Sequence, residues 1–209
     1  IIFHTDAVQA FGHIKIDVKK IGADMLSASS HKFHGPKGCG FLYADKNTGI
    51  KPFIYGGGQE RGQRSGTENV PGILGMVKAA EISHRIMDEN NRKLRKINDY
   101  MTDRILNEID DCICNGNREN RLSNNINVSF GNIDGKALLV LLDMEGVYVS
   151  GASACNGGKE KSYVLSSLGV PEKYADGTIR MTMDYTMNMK QADYVLNVLK
   201  KCVNYLRKK

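Results

Sequence analysis

The run IIFHTDAVQAFGHIKIDVKKIGADMLSASS, Ile1 to Ser30, decides the fold. Both of its ends are short and largely apolar. Ile1–Thr5 finishes at Asp6, and Met25–Ser30 follows the turn-forming Gly22-Ala23-Asp24. Short apolar runs bounded by turn residues predict strands. Residues 7–22 between them are long enough for a helical crossover, the connection that defines an α/β layout and lets two strands run parallel. A third strand-like run, Cys39–Ala44, follows Gly35-Pro36-Lys37-Gly38. Strands of this kind suit a sheet buried on both faces.

Working outward, YGGGQERGQRSGT at 55–67 holds five glycines and two arginines and reads as a surface loop. From about Val70 to Ile109 the apolar residues recur at helical spacing, with Pro71 suited to a first turn, where its missing N–H costs little. That span is long for one globular helix. The polar stretch Asp88-Glu89-Asn90-Asn91 is therefore the expected break and the expected domain boundary, giving units 1–88 and 89–209. The second unit predicts a strand at Asn125–Phe130, a helix at Gly135–Met144, a short strand at Val147–Ser150 and a loop around Cys155. A helix near Ser162–Leu168, a strand at Thr178–Met183 and a final helix from Met189 to Leu206 follow. Alternating strands and helices make this unit α/β or α+β.

Composition narrows the function classes. With 209 residues, 41% of them hydrophobic, the chain can bury a core. Its formal charge is +6, but Lys and Arg are spread along the chain with no basic block interleaved with aromatics, which argues against nucleic-acid binding. Five cysteines, an odd number, do not form an even disulfide framework, and Cys112 and Cys114 lack the usual metal spacing; a reducing cytoplasm is the expected compartment. No stretch approaches the ~20 apolar residues of a bilayer span. The opening lacks a signal-peptide pattern and an initiating Met and begins inside a strand, which points to part of a longer polypeptide.

Three residues suggest chemistry. Lys32, in SASSHKFHGPKG (27–38), follows a predicted strand. A lysine there is ordinarily a solvent-facing group, but an amine partly withdrawn from water can capture an aldehyde as a Schiff base. Asp6 ends a strand, where α/β sheets place ligand contacts; the alternative is a helix N-cap. A carboxylate there could keep the ring nitrogen of pyridoxal 5'-phosphate (PLP) protonated. Cys155 lies in SGASACNGG, a run of small residues suited to a loop.

HTDAVQA, SSHKFHGPKG, GGGQERGQRSGTEN, VSGASAC and TIRMT, in this order along essentially the whole chain, resemble NifS-like cysteine desulfurases, which are fold-type I PLP enzymes. The resemblance implies the remainder of a large parallel-sheet domain followed by a small C-terminal α/β domain. It implies that Lys32 holds PLP and moves protons, that Asp6 pairs with the pyridinium and that Gln9 donates to the ring phenolate. It further implies that Ser29 and His31 bind the phosphate and that Thr67 reaches the phosphate of the neighbouring subunit in a homodimer. Arg180 would clamp the carboxylate of L-cysteine, a role for which its planar donor fork is fitted. Cys155 would take the sulfur as a persulfide, leaving alanine, and pass it to an acceptor protein for iron–sulfur clusters or thio-modified RNA.

Two stretches depart from that pattern. Asn156-Gly157-Gly158-Lys159-Glu160-Lys161 follows the cysteine in place of a Ser/Thr-rich run and Glu-Pro, and Asp184-Tyr185 follows the arginine segment in place of Gly-Arg. They leave selenocysteine lyase or aminotransferase activity as alternatives of the same chemistry. The family's N-terminal half, with its phosphate loop and ring-stacking histidine, does not match any part of this chain. Alone, the chain is expected to bind PLP poorly and to behave as a non-catalytic domain.

Overall fold

A computed structural model describes residues 1–151 and 162–208. The contacts divide the chain into two compact units, Ile1–Glu89 and Asn90–Lys209.

The first unit carries β1 (His4–Asp6), α1 (Val18–Ile21), β2 (Met25–Ser29) and β3 (Gly40–Ala44). The sheet order is β1-β2-β3. β1 and β2 are parallel, with Asp6 level with Ser27, whereas β3 returns antiparallel, with Ala28 level with Phe41. The link from Ser29 to Gly40 is too short for the crossover that a further parallel strand would need. The α/β reading of the first residues is the observed one, but the expected helical crossover over 7–22 is reduced to a few turns and the four-residue α1. Gly12 explains the reduction: its φ of +82° departs from helix, and a Cβ there would sit 2.6 Å from Phe33 Cβ. Asp17 then caps α1, accepting from the amides of Lys19 and Lys20.

One face of this sheet is covered and the other is open. Leu26 and Ala28 are buried together with Ala7, with Phe11, Ile16, Phe41 and Tyr43 packed against them. Phe11 contacts Phe33 and Phe41 edge-on at centroid distances of 4.9 and 5.0 Å. The opposite face presents His4, Asp6, Ser27, Ser29 and an exposed Leu42. Among the described residues of the first unit, the burial expected on both faces is found on one only.

α2 runs unbroken from Val70 to Glu108. Asn69 starts it by accepting from the Gly72 amide. The break expected at Asp88–Asn91 is absent because the buried positions Met87, Leu94, Ile97, Met101 and Ile105 keep helical spacing through it. Polar residues with helical dihedrals cost only tenths of a kcal/mol, roughly, which burial on the other face outweighs. Asp88 instead forms an exposed ion pair with Lys15 at 2.7 Å.

The second unit holds β4 (Cys112–Cys114), β5 (Asn125–Phe130), α3 (Gly135–Met144), α4 (Tyr163–Ser167), α5 (Glu172–Ala175), β6 (Thr178–Thr182) and α6 (Met189–Arg207). Its sheet is antiparallel in the order β4-β5-β6. Ile126, Val128, Phe130, Ile179 and Met181 form the apolar face and join one core with Leu138 and Leu142 of α3 and Leu196, Leu199 and Val203 of α6. Each such side chain, fully buried, contributes about 1.5–3 kcal/mol. Asn188 and Gln191 form a capping box at the start of α6. The expected strand Val147–Ser150 reduces to an isolated bridge between Ser150 and Arg180.

Candidate active site

In the first unit, Asp6 and Lys32 stand at the same end of the parallel pair. Asp6 closes β1, and Lys32 follows β2 in a 3-10 turn, Ser30–Phe33. The carboxyl ends of parallel strands are where an α/β sheet binds ligands, because the chain leaves the ladder there with free donors. Asp6 Oδ1 accepts from the Val8 amide at 2.9 Å, a local turn rather than a cap on a helix.

The turn that carries Lys32 is fixed from several sides. Phe33 is 1% exposed. Its carbonyl accepts from Ser83 Oγ at 3.3 Å, and His13 Nε2 lies 3.1 Å from the Lys32 carbonyl. The Gly35 amide donates to the Ser30 carbonyl at 2.9 Å, and His34 ends the turn with φ +68°. A Cβ on Gly35 would fall 2.1 Å from Ser30 Oγ and 3.2 Å from the Ser30 carbonyl, so a larger residue would force the Ser30 side chain or the turn to shift. Lys32 itself is half-buried.

Ser29 shares the open sheet face with Asp6 and Ser27. Its Oγ lies 2.9 Å from His31 Nδ1, so hydroxyl and imidazole form one polar pair beside Lys32. This donor set, an amine, a carboxylate, a hydroxyl and an imidazole at one edge of an open sheet face, fits an anionic aldehyde cofactor with a basic ring nitrogen. Gln9 is exposed in the turns after β1, and Thr67 is exposed on the loop before α2. That loop was expected to lack any element; it contains a single 3-10 turn, Glu60–Gly62.

In the second unit, Arg180 lies on the polar face of the sheet, beside a cavity of about 420 Å³ lined also by Asn115, Arg121, Asn125, Asn127 and Thr178. Arg95 fastens the rim of this cavity by donating to the carbonyls of Arg118 and Arg121, and Arg121 donates to those of Asn115 and Asn117. Buried Asn98 holds the entry to β5 through the carbonyls of Ser123 and Asn125. Cys155 lies outside the described residues. Burial pushes the thiols of Cys112 and Cys202 up, which disfavours the thiolate form and fits structural roles.

Asn115, Asn127 and His13 were not singled out from the sequence. Asparagine is a poor strand former, and the signal available was the alternation of Asn125, Asn127 and Ser129 with Ile126, Val128 and Phe130, which marks a second, polar face.

The aminotransferase class-V family profile matches residues 1–195. The chain belongs to the class-V aminotransferase family. Among class-V relatives, the cysteine desulfurase IscS of Dictyoglomus turgidum is 47% identical over 99% of this chain, and that of Methanosarcina thermophila is also 47% identical over 99%. The chain spans about half the length of these relatives, 53% and 51%. Of solved class-V structures, a NifS-like protein superposes with a TM-score of 0.89 at 37% identity, over 98% of this chain and 53% of that one. A NifS-like protein from Rickettsia africae superposes at 0.87 with 31% identity, over 97% and 54%. The α/β fold and the likeness to NifS-like desulfurases expected from the motifs are both found. Among the described residues, no helix is long and apolar enough to cross a membrane.

Proposed function

We propose that this chain is the lysine-bearing part of a PLP-dependent cysteine desulfurase, converting L-cysteine and an enzyme thiol to L-alanine and an enzyme persulfide. The observation that carries the reading is the position of Asp6 and Lys32 at the carboxyl end of one parallel strand pair. It is supported by the 47% identity to desulfurases over nearly the whole chain.

PLP, when bound, supplies an electron sink for the bonds at the amino acid's α-carbon. The roles left to the protein are those of holding and proton transfer. Lys32 Nζ is the covalent anchor and the base that moves the α-proton. Asp6 keeps the ring nitrogen protonated, and Gln9 orients the ring oxygen. Ser29 and His31 hold the phosphate, with Thr67 serving the other subunit of a homodimer. Arg180 binds the carboxylate of L-cysteine, and the Cys155 thiolate takes the sulfur and hands it to an acceptor protein. We place these steps in the cytoplasm.

The test uses the full-length polypeptide loaded with PLP. L-cysteine should give alanine and a persulfide on Cys155 in intact-protein mass spectra. Cys155→Ala should lower persulfide formation by about 100-fold or more. Amino-acid turnover that survives undiminished in that variant would instead favour a selenocysteine lyase or aminotransferase.

A further inference from the structure

Hydrogen bonds on the polar face of the second sheet run in one direction. The Thr178 hydroxyl lies 3.1 Å from the Tyr174 carbonyl, which can only accept. Its single proton is committed there, so at 2.6 Å it accepts from Ser129 Oγ. The Ser129 proton is then committed in turn, and at 2.6 Å Ser129 accepts from Asn115. The group that Asn115 turns toward it must be its NH₂. The second proton of that NH₂ goes to Asn127 Oδ1 at 2.7 Å. Ser129, Thr178 and Asn115 are all buried, which shields the row from water.

The consequence falls on Asn127. With Oδ1 held by Asn115, its amide cannot flip, and the edge left unclaimed by the row is the donor edge, Nδ2. Asn127 is level with Arg180 across the β5–β6 pair. The Asn127 carbonyl bonds the Asn115 amide, and Arg180 exchanges backbone bonds with Ser150. Neither bonds the other, so they form the narrow kind of antiparallel pair, with Cα atoms about 4.5 Å apart and side chains close. Both line the same cavity. A guanidinium and an amide NH₂ side by side on one wall are two donors that can converge on one carboxylate.

We infer that Asn127, oriented by Asn115, is a second binding residue for the amino acid's carboxylate beside Arg180. This rests on the proposed amino-acid chemistry. The Asn115–Ser129–Thr178 row has a role of its own: it fixes which edge of Asn127 meets the ligand.

Calorimetric titration of the full-length, PLP-loaded protein with L-alanine and L-alaninamide tests the inference, since the two ligands differ only in the carboxylate. Asn127→Ala should weaken L-alanine about tenfold and alaninamide less than about twofold. Asn127→Asp keeps the acceptor for Asn115 but turns an oxygen toward the ligand. It should weaken L-alanine by about 100-fold and leave alaninamide bound as tightly or more tightly. Asn127→Ser provides the same comparison should either variant fold poorly, with a tenfold loss expected for L-alanine alone. Losses equal for the two ligands, or L-alanine affinities within twofold of the parent, would overturn the inference. Arg180→Ala run in parallel separates the two levels. If it weakens L-alanine while the Asn127 variants do not, only the role of Asn127 falls. If it too leaves L-alanine unaffected, the carboxylate clamp of the proposed function fails and takes this inference with it.

Discussion

Lys32→Ala in the full-length protein is expected to abolish covalent cofactor attachment and to lower alanine release from L-cysteine by about 10³-fold. One side chain performs two tasks here. Under the proposed function it anchors the cofactor and moves the proton at the α-carbon, a step for which a positioned base is worth roughly 10²–10⁴-fold. Soluble alkylamine added to the variant should restore part of the rate, because the proton transfer needs only an amine of suitable basicity near the α-carbon. The measurement is steady-state alanine release with and without the amine, alongside a thermal melt. The melt should be nearly unchanged, since Lys32 is only half-buried and its turn is held through Phe33, Ser83 and His13.

Phe33→Ala is expected to act through the fold and to cost about 3–5 kcal/mol. Phe33 is almost completely buried, packs edge-on against Phe11, and leaves no room for any side chain at position 12. Truncation removes the ring that seats the turn between Ser30 and His34 on the rest of the first unit. Denaturant unfolding monitored on the full-length protein should show the midpoint fall, and cofactor affinity should fall with it even though Phe33 itself has no polar atom to offer a ligand. A midpoint within experimental error of the parent would contradict the packing described.

What the sequence disclosed, and what it did not, follows from the range of the forces involved. β5 and α3 were legible to the residue because their apolar periodicity, two and 3.6, is a local property that burial enforces. β4 was not, since three residues carry no period, and neither was the collapse of the crossover, which depends on Gly12 meeting Phe33 from far along the chain. The unbroken α2 overrode its polar middle because the buried positions on either side of it stay in phase. At the site, Lys32 and Asp6 were visible as residue types next to strand ends, whereas their common edge is a consequence of parallel register. The direction of the Asn115 row could not be read at all from a one-dimensional string; it emerges only when a carbonyl that cannot donate sits at one end. Cys155, conspicuous among its small neighbours, lies outside the described residues.

Borohydride reduction of the full-length, PLP-loaded protein, followed by proteolysis and mass spectrometry, tests the assignment of the anchor most directly. A pyridoxyl mass on Lys32, and its disappearance in Lys32→Ala, is the expected result. A stable label on Lys37 or any other lysine, with Lys32 unmodified, would contradict it.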